Sequence, residues 1–368
     1  MTVVSQRGGI AWALQTRKVE DAVFSPAEDV SGSGWKKHKA ILADLGLQEM
    51  ADQFPLEVGS GLVSPGMYKS GVFVGGTFRV LPRLQGAIGA LLLALSGDFS
   101  ALGHSGTDLS GACFYVKQSE QTRVPWLALR KYTPASTGGD DMTEFMIDSK
   151  MAAATFTIPG TGPAVAEFGY VGRRPFSVDN ENVEGDASLY EDITGVPMSC
   201  RGSVTLPSTV VTPARAKFTG AQITLGNGMT TPEQEMVIGS YYPDDFAVLG
   251  RSAAIRMVYK WYDRELYLKL RYGNALGAWD PNVIYGPLTI RSQATKTILA
   301  DHNGYAIEFY FPKVAFMVGQ PTLAPQQMLQ VEVTAIMAET DDAAGSPWEI
   351  RLLNNVDYGT SPFGTPVY

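Results

Sequence analysis

Histidine and cysteine, the residues that most often carry metal or nucleophilic chemistry, are nearly missing from this 368-residue sequence. His38, His104 and His302 are the only histidines; none has a second histidine at metal-ligand spacing, and no Cys-x-x-Cys is present. Cys113 and Cys200 lie far apart and make no disulfide framework, so both read as small buried hydrophobes. Charge is sparse as well: 18% of residues are charged and the formal net charge is −8. That balance argues against tight nucleic-acid binding, which needs clustered Lys and Arg. The one basic cluster, Trp35-Lys36-Lys37-His38-Lys39, is too small to change this. Long hydrophobic runs are lacking; the most apolar, Gly86 to Leu95, is half the length that crosses a bilayer. Met1 to Leu14 has neither a basic n-region nor a continuous apolar stretch, and no Asn-x-Ser/Thr sequon occurs. The expectation is synthesis in a reducing cytoplasm, with no secretion and no membrane contact.

What is present favours strands and turns. The chain has 39 glycines and 45% hydrophobic residues, with Thr, Val and Tyr plentiful. Ala154, Phe156 and Ile158 alternate with Thr155 and Thr157, and Ala221, Ile223 and Leu225 with Gln222 and Thr224. Tyr305 to Phe311 and Leu329 to Ala335 repeat the pattern. Period-two alternation predicts sheets with one buried and one polar face. Turn clusters such as Pro159-Gly160 and Gly226-Asn227-Gly228 separate the runs.

Two units follow a similar plan. In the first, Val72 to Val80 reads as a strand interrupted by a bulge at Gly75-Gly76. Pro82 ends it, and Leu84, Ile88, Leu91, Leu92 and Leu95 predict a short helix closed by Gly97. In the second, Ala254 to Tyr259 is a strand, and a helix capped by Asp263 and ended by Gly273 follows it. That second segment also alternates like a strand, and its position after a strand decides for the helix. A further weak helical pattern spans Trp35 to Gly46. The expected organisation is an N-terminal arm over 1–34, two β-rich domains over 35–205 and 206–355, and a tail over 356–368.

The sequence offers little to a catalytic site. Gly103-His104-Ser105-Gly106 lacks the spacing of a nucleophile elbow, because Thr107 stands where glycine is required. Gly71 to Gly76 lacks the Lys-Ser/Thr of a phosphate loop. The pairs Asp140-Asp141, Asp244-Asp245 and Asp341-Asp342 read as solvated turns, without the spacing of a calcium loop. Tyr241-Tyr242 and Trp261-Tyr262 are candidates for stacking on sugars or bases, although aromatics beside strands more often belong to a core or an interface. No catalytic residue, metal ligand or cofactor site is expected.

Four stretches, taken in order, resemble the tail tube proteins of long-tailed bacteriophages, in the family with two tube domains per chain. They are Gly76 to Gly97, Phe218 to Gly228, Ile238 to Asp245 with Asp263 to Tyr267, and the closing strands Tyr305 to Val314, Leu329 to Glu339 and Trp348 to Asn354. The resemblance covers most of 55–355 as order and texture. It implies β-sandwich or barrel-like domains, each with a flanking helix, that build stacked rings around a DNA channel. Six such domains close a ring in related tubes, so this chain would form homotrimeric, pseudo-hexameric rings. Its implied partners are further copies of itself, the tail terminator, tape measure and baseplate or tail-tip proteins, and DNA passing without specific binding; its implied location is the virion. An acidic chain can set carboxylates on the channel wall to repel phosphate. Glu308 and Glu332, on the polar faces of alternating strands, are candidates for the lumen or, equally, for the outer wall. The main rival is a carbohydrate- or receptor-binding β-sandwich module of a virion, and a β-rich hydrolase using Asp244 or Asp245 comes third.

Overall fold

The computed structural model describes residues 9–20, 22–26, 28–30, 35–55, 64, 66–102, 110–117, 124–133, 142–179, 192–207, 217–261, 264–273, 277, 279–297, 304–321, 329–341, 345–354, 356, 358 and 363. The fold is mainly β, a large antiparallel sheet with two helices among the described residues. The first half carries β1 (Gly9–Leu14), β2 (Lys36–His38), β3 (Ala40–Gln53), β4 (Met67–Val80), α1 (Ala87–Ser96), β5 (Asp98–Leu102) and β6 (Ser110–Tyr115). It continues with β7 (Leu127–Thr133), β8 (Met142–Ile158), β9 (Val165–Asp179) and β10 (Pro197–Thr205). The second half carries β11 (Phe218–Met229), β12 (Val248–Lys260), α2 (Arg264–Tyr272), β13 (Ile284–Thr297), β14 (Gly304–Val318), β15 (Gln330–Met337) and β16 (Glu349–Asn354).

Two long strands organise the pairing. β9 runs along one edge of β8, while the other edge is shared between β7 and β11. β14 repeats the scheme, with β13 on one edge and β16 and β15 dividing the other. Between them, β11, β12 and β15 complete the order β8-β11-β12-β15-β14. The sheet then curls shut through β13 and β10. Ala164 N donates to Pro197 O at 2.9 Å and Ser199 N to Gly162 O at 3.0 Å, just before β9 returns to β8. Closure removes the edges that these strands would otherwise expose. Inside, Phe156, Phe168, Ile223, Ile255, Val333 and Phe309 are buried in one hydrophobic core. Three pairings, β8–β11, β10–β13 and β6–β16, cross residue 205, so the two expected units share that core.

Aromatic rings bind this interior to the N-terminal strands. Centroid distances run 5.8 Å from Trp12 to Phe78, 5.4 Å on to Phe168, 5.7 Å to Phe156 and 4.8 Å to Phe309. Contacts of this kind each contribute roughly 0.5–1.5 kcal/mol beyond their buried area. β1 therefore lies deep: Ile10, Trp12 and Leu14 join the main core, and Ala11 and Ala13 join a second cluster with Phe24, Trp35 and Phe145. Residues 1–34, expected to be an arm, thus include a strand paired with β2 and β7.

Helix α1 is buried on every side, which fits its uninterrupted apolar sequence. Its C-terminal Leu95 carbonyl accepts from Asn227 Nδ2 at 3.0 Å and Arg251 Nη1 at 2.8 Å, both from the second half of the chain. A cation here also complements the negative end of the helix dipole; burial lowers Arg251 to a pKa of about 10. Gly97 ends the helix in the left-handed conformation, as the sequence indicated. Near the other end, Asn354 Nδ2 donates to Leu84 O at 2.9 Å and contacts the Tyr358 hydroxyl at 3.1 Å. Tyr358 and Phe363 close over Gly89, where a Cβ would lie 3.1 Å from the Phe363 ring.

α2 is a helix, with Leu266 and Leu270 buried one turn apart, and Gly273 N donates to Lys269 O at φ +81°. Asp263, its expected cap, lies outside the described residues. Two expectations are corrected. Trp35 to Gly46 is not helical: β2 and β3 occupy it, and Ile41 and Leu42 are exposed rather than aligned on a buried helical face. The pairing of β3 along β4 overrides the weak local pattern. Nor is there a bulge at Gly75-Gly76. Register runs unbroken through Leu45↔Gly76 and Gly46↔Gly75, with shifts at Ala40/Leu42 and Met50/Ala51 instead.

Two stability measurements follow. His38 is buried against Trp12, and desolvation lowers its pKa to about 4, with nearby Arg83 adding to the effect. The unfolded chain therefore takes up a proton near pH 6.5 that the folded chain refuses until about pH 4, so stability falls with pH across that window. The full effect is about 3 kcal/mol, and H38N is expected to remove it in denaturant titrations at pH 7 and pH 4.5. Replacing Asn227 with alanine takes hydrogen-bond donors from the buried Leu95 and Met151 carbonyls. Leu95 O keeps Arg251 Nη1 as a donor, so the expected cost is about 1–3 kcal/mol for the loss at the Met151 carbonyl, read from the unfolding midpoint.

Candidate assembly surface

The β3–β4 hairpin is longer than the sheet that supports it. All of β3 pairs with β4, but β9 covers the second edge of β4 only from Val74 to Val80. The distal part, Met67 to Phe73, extends past that cover, tied by Val72 N to Tyr241 O at 2.8 Å. The outer edge of β3 has no strand partner among the described residues. Lys131 Nζ, 2.9 Å from Leu45 O, touches it at one point. Ile41, Leu42, Leu47, Met67 and Tyr68 are exposed along this hairpin, and Phe54 packs on Tyr68 with ring centroids 4.8 Å apart. A long strand edge with apolar side chains is a template for pairing with another chain.

Gly76 is what lets β3 lie so close. Its φ is +142°, and a Cβ there would stand 1.9 Å from Asp44 O. Gly71 serves the tip differently: the methyl groups of Met50 and Met236 occupy the space that a Cβ would need. Met236 belongs to a second exposed element that abuts the hairpin.

That element is a tight turn. Ser240 N donates to Val237 O at 3.2 Å, with Gly239 at φ +95°. Met236 bridges to Pro243, Asp244 N donates to Glu235 O at 2.9 Å, and Ser240 Oγ donates to Tyr242 O at 2.8 Å. The base is anchored from β8 and β9. Lys150 Nζ lies 2.7 Å from Asp245 Oδ1, 3.1 Å from Phe246 O and 4.1 Å from the Trp126 ring centre, while Arg173 Nε donates to Pro243 O at 2.8 Å. The turn presents Ile238, fully exposed, beside exposed Tyr241.

The residues singled out for chemistry do not converge. His38 is enclosed, and its Nε2 has no hydrogen-bond partner among the described residues. Asp244 faces Lys18 at 3.4 Å while Asp245 faces Lys150, so the pair is split between two cations. Asp341 is bound by Lys313 at 2.5 Å. His104, Ser105, His302, Asp140, Asp141, Asp342 and Tyr262 lie outside the described residues. Cys113 is buried, and desolvation with Glu349 nearby pushes its thiol up to about 12. Cys200 is exposed on β10, contrary to its reading as a buried hydrophobe, because β10 presents its middle to solvent. Among the described residues, no group of three or more His, Cys, Asp or Glu could hold a metal ion, and no helix is long and apolar enough to cross a membrane.

Glu308 and Glu332 each meet arginine. Glu332 receives both arms of Arg256, at 3.0 and 2.7 Å, and this hydrogen bonding holds its carboxyl below the usual range. Glu308, more enclosed, lies 3.1 Å from Arg351 and 4.0 Å from Arg291. Both carboxylates are therefore locally neutralised. No family model matches the chain, and no curated protein sequence matches it. Ile238 to Ser240 entered the sequence reading only as part of the resemblance, with no turn read at 237–240, and Lys150, whose partner Asp245 is 95 residues away, was not singled out.

Gly76→Ala is expected to destabilise the chain by more than about 1 kcal/mol, because the clash is with backbone and the dihedral is positive. Chemical denaturation reads this directly, and an unchanged midpoint would show that β3 does not depend on the close approach.

Proposed function

We propose that this chain is the structural subunit of a long-tailed bacteriophage tail tube: a virion protein that joins copies of itself into stacked rings through which DNA passes. The observation that carries this reading is the β3–β4 hairpin, whose fourteen-residue β3 has an edge without a strand partner among the described residues and exposed apolar side chains, projecting from a closed β core. An isolated monomer gains nothing from such an edge, whereas an assembly covers it. The order of strands and helices is the second support. On this reading three chains form a pseudo-hexameric ring, and terminator, tape measure and baseplate proteins meet the ends of the tube. The outward face of β11, β12 and β15 suits a wall that DNA slides past. It offers Gln222, Thr224 and Thr334, and its Arg256 is neutralised by Glu332.

Negative-stain electron microscopy over a concentration series tests the proposal. Hollow rods or rings with three-fold or pseudo-six-fold end views are expected for the native chain. L42K/L47K, which charges two exposed positions of β3, is expected to remain folded and fail to assemble. Rings of six chains would keep the tube and refute three chains per ring. Featureless monomers at every concentration would overturn the proposal and favour glycan binding, for which exposed Tyr241 and Trp279 are the first aromatics to mutate.

A further inference from the structure

At the seam where the barrel closes, the sheet leaves a hole. β10 pairs with β13 at Pro197 and Met198 and again from Ser203, and the register breaks between them, so residues 199–202 bow away. Opposite, the β11–β12 register slips between Phe218 and Gly220. Between the two irregularities lies a half-open cavity of about 260 Å³, walled by Ile158, Val204, Phe218 and Ile290. Gly160, Gly202 and Gly220 also line it, and at Gly160 a Cβ would stand 2.4 Å from Thr219 O, so the backbone there approaches closely. Its volume falls below the range of about 300–1,000 Å³ usual for small-molecule sites. It suits one or two protruding side chains.

The same chain carries such a protrusion. The 237–240 turn is braced by its own hydrogen bonds, yet it holds Ile238 fully in water next to exposed Tyr241. A flexible loop could fold such a residue away; this turn cannot. The charges around the two features are opposite. Glu233 and Glu235 stand just before the turn, while the cavity is bordered by Arg291, by exposed Arg201 between Ser199 and Gly202, and by exposed Lys217 next to Phe218.

We infer that the Ile238–Tyr241 turn of one copy seats in the seam cavity of a second copy of this chain. The contact is heterologous: knob and hole are different surfaces, so each copy leaves one of each free for the next. Such a contact propagates into a ring or an open filament rather than stopping at a pair. The inference rests on the tube proposal and specifies one of its contacts.

The test uses the full chain. I238D leaves the core untouched and is expected to melt as the native protein does, while raising the concentration needed for assembly at least tenfold. In a Cys200→Ser background, I238C combined with V204C, exposed to a mild oxidant, is expected to give a ladder of covalent multimers on non-reducing gels. Disulfide formation requires Cβ atoms within about 3.5–4.5 Å, so the ladder reports the seating itself. Neither single-cysteine variant should form it. Assembly of the native chain with no ladder, or with an unchanged I238D threshold, overturns this contact and leaves the tube standing. A native chain that stays monomeric and gives no ladder overturns both.

Discussion

Strand β8 has two edges, and the molecule uses both along nearly their whole length. β9 takes one; β7 and then β11 take the other. Because β7 leads to β1 and β2 while β11 leads to β12, β15 and β14, this seventeen-residue strand is where the N-terminal sheet and the barrel become one structure. Its side chains carry the same junction into the core, since Phe156 touches both Phe168 and Phe309. Even Lys150, the cation buried on it, serves attachment by fixing the base of the 237–240 turn. Whatever force reaches that turn is passed to the centre of the fold.

The polar groups inside the molecule follow one logic. Asn227, Arg251 and Asn354 each span the halves of the chain to satisfy backbone carbonyls at or next to α1. An apolar helix enclosed on all sides has no water for its last carbonyls, so side chains must meet them. These are long-range contacts, and they give Asn227, Arg251 and Asn354 a structural reason for their burial.

Alternation made much of the barrel legible: Ala154 to Ile158, Ala221 to Leu225, Tyr305 to Phe311 and Val331 to Ala335 fall in strands with the apolar set inside, while Leu329 lies just before β15. α1 was readable from apolar spacing and its terminal glycine, whereas α2 rested on Gly273 and its place after a strand, because its own apolar residues alternate. β3 was not, because an exposed hairpin strand has no buried face to impose period two, and its leucines mimicked a helical stripe. β1 was hidden for the opposite reason: buried on both sides, it shows no alternation. The candidate assembly surface was scarcely visible, since exposure of Ile238 depends on a turn and an anchor set by distant residues. Glu308 and Glu332 lie on the less buried faces of β14 and β15, but the arginines facing them come from other strands and are not signalled locally.

The arrangement around α1 also bears on how the protein is made. The helix emerges from the ribosome early, yet the groups that finish its burial, Asn227, Arg251, Asn354, Tyr358 and Phe363, are translated long afterwards. At typical elongation speeds of about 5–20 residues per second, that delay lasts on the order of ten seconds or more. Throughout it, the α1 segment lacks groups that enclose it in the folded chain. Translation thus imposes a timetable in which β16 and the residues just after it supply the last groups that enclose α1.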